Sequence, residues 1–235
     1  MGRLIIHHIT NYVSVNECAN ITLAVGASPV MADDIAEVAD ITSISNALVL
    51  NIGTLNARTV ESMLAAGVVA NKKNIPVILD PVGVGASKFR NETVAQILEK
   101  VKLTVLRGNL SEIRFVAGFC SNTQGVDAGD VATAEETAEL AKNLAKKLGC
   151  IVVVSGATDV ISDGERVALV TEGHPSMQQT TGTGCMCTSV IASLVAKNPD
   201  DVFGAATRAM QIMGAAGMRA HKSGRRIIDE IVFCL

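Results

Sequence analysis

Ala47–Ile52 (ALVLNI), Ile75–Asp80 (IPVILD), Leu103–Leu106 (LTVL) and Ile151–Val154 (IVVV) are short, dense apolar runs that lack the in–out alternation of a half-exposed sheet. Segments of helical character lie between them, over Ala57–Lys72, near Asn91–Val101, from about Asn109 and over Ala134–Leu148. Strands that are apolar on every side must be covered on both faces, and short strands joined through helices run parallel. The expected fold class is therefore α/β, a central, mainly parallel sheet flanked by helices on both faces. Ile5–Thr10 adds another short strand, and Ser14-Val15-Asn16-Glu17 reads as a capping box that opens a helix to about Val25. Thr158–Thr171 departs from the pattern, because VISDGERVALVT is a hairpin with an Asp-Gly turn. It predicts an antiparallel addition at one edge. The last third is mostly helical.

A chain of 235 residues fits one α/β domain spanning positions 1–235. Hydrophobic residues make up 49% and charged residues 18%, with no Trp and one Tyr. That composition excludes disorder and calls for surface hidden between layers or between subunits. A net charge of −3 gives no electrostatic case for nucleic acid or an anionic membrane. The six cysteines at 18, 120, 150, 185, 187 and 234 form neither a C-x-x-C pair nor a regular framework, so free thiols in a reducing compartment are expected. No signal peptide precedes His7 and no apolar run has the length of a membrane span, which predicts a cytoplasmic protein.

In open α/β sheets, ligands bind beyond the carboxyl ends of the strands. Thr54, Asp80, Arg107, Ser155 and the 182–185 turn all fall at or just after such ends, so five sites converge on one sheet edge. The sharpest is Thr181–Cys187, TGTGCMC, at the mouth of a helix whose apolar stripe is Met186, Val190, Ile191, Leu194 and Val195. Gly182 and Gly184 let backbone approach a ligand and bare the first helical N–H groups, an anion site suited to phosphate. Cys185 in that first turn gains thiolate character from the same field, or is a small buried hydrophobe; Cys187, pointing elsewhere, is a core cysteine.

The other positions each admit two readings. Asp80, before a glycine-containing loop, is a Mg²⁺ ligand shared with nucleotide phosphates or a helix cap. Asn109 and Glu112 form a capping box, or Glu112 holds a magnesium water shell while Arg107 pairs with phosphate oxygens. Ser155 contacts a nucleotide phosphate or closes a turn. Met31, after the small-residue loop Gly26–Val30, fills a core gap or lines a pocket for a flat, sulfur-containing ring. His7 and His8, adjacent on a strand, face opposite sides and cannot serve one metal, so all four histidines are structural or surface groups.

The chain resembles the hydroxyethylthiazole kinase family of the ribokinase-like superfamily from about Ile6 to Arg219. The resemblance rests on HHITNYV at 7–13, GASPVMADD at 26–34, NIGT at 51–54, LDPVGVGA at 79–86, RGNLSEI at 107–113, SDGERV at 162–167 and TGTGCM at 181–186. It implies ATP- and Mg²⁺-dependent phosphorylation of the hydroxyl of 4-methyl-5-(2-hydroxyethyl)thiazole, a small-molecule substrate. Where the wider superfamily usually has a catalytic aspartate, this family has a cysteine, which maps to Cys185. The resemblance further places Met31 and Gly182 at the thiazole, Arg107 and Ser155 at ATP, and Asp80 and Glu112 near magnesium. Ser155 stands where threonine is usual. The family is also a homotrimer with active sites at subunit boundaries. Members usually carry a helix before HHITNYV and a longer segment where Ser223–Arg226 stands. Alternatives within reach are a related kinase for another alcohol, such as hydroxymethylpyrimidine, or a non-catalytic nucleotide-binding relative.

Overall fold

A computed structural model describes residues 3–121 and 132–235, with the side chains of residues 120 and 121 outside that description. One eight-stranded sheet organises these residues. Strands β1 (Ile5–Ile9), β2 (Ser28–Val30), β3 (Ala47–Asn51), β4 (Val77–Asp80), β5 (Val105–Asn109) and β6 (Ile151–Ser155) are parallel, while β7 (Asp159–Ser162) and β8 (Val167–Val170) are antiparallel. The strand order is β2-β1-β3-β4-β5-β6-β7-β8. The two antiparallel strands form the hairpin expected from the Asp-Gly turn, and every residue of β3 and β4 is buried.

Helices α1 (Val15–Ala24), α7 (Thr183–Lys197), α8 (Val202–Ser223) and α9 (Ile227–Ile231) cover one face with Ile6, Val49, Ile78, Val105 and Val153 beneath them. Helices α2 (Val38–Ser43), α3 (Ala57–Lys72), α4 (Lys88–Lys100), α5 (Leu110–Ser121) and α6 (Ala134–Leu148) cover the other, over Leu48, Leu50, Leu79, Leu106 and Val152. The period of two sends alternate residues to opposite cores. His7 and His8 follow that rule. His7 bonds Thr42 and the Ala32 carbonyl on one side, and His8 meets Thr22 on the other.

Three local expectations differ from the structure. Ser28–Val30 lies in a segment that reads as a small-residue loop, yet it forms the edge strand β2, where Pro29 is tolerated because an edge strand can spare a donor. Ser14 stands at the α1 N-cap but caps nothing with its side chain. Its hydroxyl donates to Asn11 Oδ1 instead, which removes it from the expected capping box. Helix α7 begins at Thr183, inside the glycine turn rather than after it. Among the described cysteines, 18, 185, 187 and 234 are free thiols; the side chain of Cys120 falls outside the described residues.

Candidate active site

Strand parity assembles the site. Val49 faces the core under α7, so Asn51 two residues on faces the same way; Ile78 and Asp80, Val105 and Arg107, and Val153 and Ser155 repeat the relation. Asn51 pairs in register with Asp80, which brings four polar side chains to the carboxyl edge beneath the start of α7. Asp80 is fully buried and Arg107 is 9% exposed. Their nearest charged atoms are 3.6 Å apart. Asp80 Oδ2 accepts from Asn51 Nδ2 at 2.8 Å and from Thr188 Oγ1 at 2.9 Å, whereas Oδ1 has no hydrogen-bond partner among the described residues. Arg107 Nη2 donates to Ser155 Oγ at 2.7 Å, and Ser155 Oγ donates on to the Gly108 carbonyl at 3.3 Å. Arg107 Nε is buried with no partner among the described residues.

The glycine turn fits over this pair. Gly182 is the α7 N-cap at φ +85°, and a Cβ there would sit 2.8 Å from Ser14 Cβ, so conformation and space both demand glycine. A Cβ on Gly184 would sit 2.6 Å from Arg107 Nη1, so the guanidinium packs directly under the first helical turn. Among the described residues no side chain caps α7, and an uncapped helix start of this kind suits an anion.

Cys185 lies in that turn. Its sulfur accepts from Asn51 Nδ2 at 3.2 Å and Asn11 Nδ2 at 3.3 Å. Asn11 Nδ2 also donates to Asn51 Oδ1 at 2.9 Å, and Asn11 Oδ1 accepts from the Ser14 amide and hydroxyl. Burial pushes the Cys185 thiol up, and the Asp80 carboxylate adds to the effect against the three side-chain hydrogen bonds. The expected thiolate character at the helix start is therefore not what this environment favours. Cys187 behaves as the core cysteine expected of it, 3.2 Å from Met210 Sδ and with its pKa raised to about 12 by burial.

Glu112 forms the capping box, its Oε2 accepting from the Asn109 amide at 2.8 Å while its own amide donates to Asn109 Oδ1. Its Oε1 takes the Gly83 amide at 2.9 Å, which ties the loop after Asp80 to the start of α5. The structural and metal readings are compatible, since each oxygen keeps a lone pair. Met31 is half-buried, belongs to neither apolar core and lies just past the outermost strand. It shares the carboxyl edge but stands about 10 Å, two strand spacings, from the strand carrying Asn51. The sequence reading named Asp80, Arg107, Ser155 and Cys185, which the structure brings together. It missed Asn11, Asn51 and Thr188, although Asn51 carried the same signal as Asp80, a polar residue ending an apolar strand.

Comparisons with known proteins identify the family. The model of the hydroxyethylthiazole kinase family matches residues 2–230. The chain belongs to that family. A hydroxyethylthiazole kinase of Clostridium beijerinckii is 56% identical over 216 residues, 91% of this chain and 78% of the relative. One of Methanocella arvoryzae is 50% identical over 220 residues, 94% of this chain and 82% of the relative. The solved hydroxyethylthiazole kinase of Pyrococcus horikoshii matches with TM-score 0.87 at 35% identity, covering 99% of this chain and 87% of that one. An ADP complex of Bacillus subtilis pyridoxal kinase, at 18% identity and TM-score 0.69, shares the ribokinase-like fold.

Two predictions follow from these contacts. Gly184→Ala displaces the Arg107 guanidinium and is expected to weaken ATP binding about tenfold or more, the scale of a lost charge-assisted contact, measured by calorimetric titration with a non-hydrolysable analogue. Asp80 is pushed up to about 6 by burial, offset by Arg107 and reinforced by Glu112. The acid limb of kcat/KM should therefore fall through pH about 6 as the carboxylate is neutralised, and Asp80→Asn should lack that limb. For stability the sign is opposite. The raised value favours the folded state at low pH, and that contribution is lost as pH rises through about 6.

Proposed function

We propose that this protein transfers the γ-phosphoryl group of MgATP to the hydroxyl of 4-methyl-5-(2-hydroxyethyl)thiazole. The observation that carries the reading is Cys185 in the uncapped first turn of α7, directly over the buried Asp80–Arg107 pair, in a chain of this family. The hydroxymethylpyrimidine and non-catalytic alternatives draw no support from the relatives, which are thiazole kinases at about half identity.

In this reading the amides of residues 183–185 and the Arg107 guanidinium bind phosphate oxygens, and Ser155 fixes the guanidinium by accepting from Nη2. The residues present fit Mg²⁺. Mg²⁺ takes one or two carboxylates and fills its remaining positions with phosphate oxygens and water, which suits the buried Asp80 with Glu112 nearby. Asp80 Oδ1, buried beside Arg107 Nη1 and without a hydrogen-bond donor among the described residues, would hold it, and Glu112 would hold its water shell. When bound, the ion neutralises charge on the transferring group. The family resemblance assigns Met31 and Gly182 to the thiazole, and Gly182 at the α7 N-cap adjoins Cys185.

Cys185 steers the alcohol. Its raised pKa keeps it a thiol at neutral pH, with Asn11 and Asn51 fixing the sulfur. Phosphoryl transfer leans on positioning and electrostatics more than on proton abstraction, so a neutral orienting group suffices. The exposed Tyr12 and Val13 beside Asn11, and Ile35 near Met31, are apolar surface of the kind a subunit contact covers, which supports a homotrimer with sites at its boundaries. No helix among the described residues is long and apolar enough to cross a membrane, in keeping with a cytoplasmic enzyme.

Cys185→Ala is expected to lower kcat about 100-fold while the Kd for ATP moves less than about threefold, read from a coupled assay with the thiazole alcohol and from titration. An alanine variant with full turnover would overturn the role of the sulfur. Failure of the wild type to consume ATP with this alcohol, beside turnover of a pyrimidine alcohol, would overturn the substrate.

A further inference from the structure

The β-ladder that sets Asn51 beside Asp80 stops one residue later, at the 3.3 Å bond from the Ile52 amide to the Asp80 carbonyl. Beyond it the chain leaves in two separate loops, 52–56 into α3 and 81–87 into α4, and no strand pairing ties them. Arg90 supplies that tie. It sits in the first turn of α4, where the Ser87 hydroxyl accepts from its backbone amide at 3.3 Å. Helical side chains lean toward the N-terminus, and this one reaches back over both loops. Nη1 donates to the Ile52 and Val82 carbonyls, and Nη2 donates to the Gly53 carbonyl at 2.7 Å. Three acceptors surround one guanidinium, and it forms no ion pair with a carboxylate among the described residues.

Each clamped residue lies next to a group of the site. The Gly53 amide donates to Asn51 Oδ1 at 2.9 Å, and Asn51 Nδ2 contacts both the Cys185 sulfur and Asp80. On the other loop Gly83, next to Val82, donates its amide to Glu112 Oε1. One guanidinium thus joins the loop that follows Asn51 to the loop that follows Asp80 and bonds Glu112. We propose that Arg90 is a positioning residue that fixes the Asn51–Cys185 side of the active site against the Asp80–Glu112 side. The proposal rests on the assignment of those two sides to alcohol and metal made above. A lysine cannot replace it, because a single ammonium does not span three carbonyls on two loops as the rigid guanidinium fork does.

Misplacement of reacting groups by an ångström costs about 100-fold, so Arg90→Ala and Arg90→Lys should each lower kcat at least about 30-fold. The KM for the alcohol should stay within about threefold, and the Mg²⁺ concentration needed for half-activation should rise. Millimolar guanidinium ion should restore part of the Arg90→Ala rate and none of the Arg90→Lys rate, where the ammonium occupies the site. A merely structural arginine would lower Tm and the folded fraction, and with it the apparent kcat, but would shift neither the Mg²⁺ requirement nor the rate per folded molecule, and guanidinium would restore no rate at constant folded fraction. Arg90→Lys keeps charge and length and serves if the alanine variant does not fold. Folded variants with kcat within about threefold of wild type, an unshifted Mg²⁺ requirement, or a loss wholly accounted for by unfolding would each overturn the proposal. Asp80→Asn, measured alongside, separates the two readings. An unchanged Mg²⁺ requirement in that variant rejects the metal assignment, and the guanidinium rescue still decides the role of Arg90.

Discussion

A carboxylate and a guanidinium buried together at the end of a sheet, with their hydrogen-bonding left incomplete, set the terms for everything around them. Asp80 has two donors on Oδ2 and none among the described residues on Oδ1, and Arg107 has an idle Nε. Burying two such charges is costly, and their attraction offsets that only where the remaining polar atoms are satisfied. Here they are satisfied in part. A core evolved for stability alone would complete the pair or replace it with hydrocarbon. That incomplete bonding lies under the start of α7, which no side chain caps among the described residues, so a carboxylate oxygen without a donor and a helix N-terminus stand side by side. That complementarity suits a metal–phosphate group.

The sheet makes such an arrangement possible without strain. Parallel strands buried on both faces present their last residues at one edge, and parity decides which of them look toward α7. The small residues of TGTGCMC then let the helix settle onto Arg107, because a side chain at 184 would meet the guanidinium. Fold and site are thus fixed by one set of choices.

Much of this was legible in the sequence. Unalternating apolar runs announced the parallel sheet, and SDGERV announced the antiparallel hairpin. Asp80, Arg107 and Ser155 stood out because each breaks or follows an apolar strand. Asn51 broke its strand in the same way, but an amide carries no charge to mark it as chemistry. Asn11 depends on a turn in which the Ser14 amide and hydroxyl both donate to its Oδ1, a local alternative to the capping box that the same residues also spell. Arg90 was invisible for a different reason. Its partners are backbone carbonyls, which every residue possesses, so no residue type in either loop records that they are held.

The cysteine shows where local reasoning and the folded environment part. A helix start favours a charged thiolate by a fraction of a charge at its end. Desolvation and a neighbouring carboxylate oppose it, and here they outweigh the amide donors from Asn11 and Asn51. A thiol held by two amides is a poor base but a well-placed one. If the chemistry required a strong base, the surroundings of Cys185 would be hard to explain, since Asp80 works against the thiolate. If it requires the alcohol to be aimed while phosphate charge is neutralised elsewhere, the same surroundings are apt. Asp80 raises the thiol pKa while its Oδ1 faces Arg107, so one carboxylate disfavours charge on the sulfur and balances charge on the guanidinium.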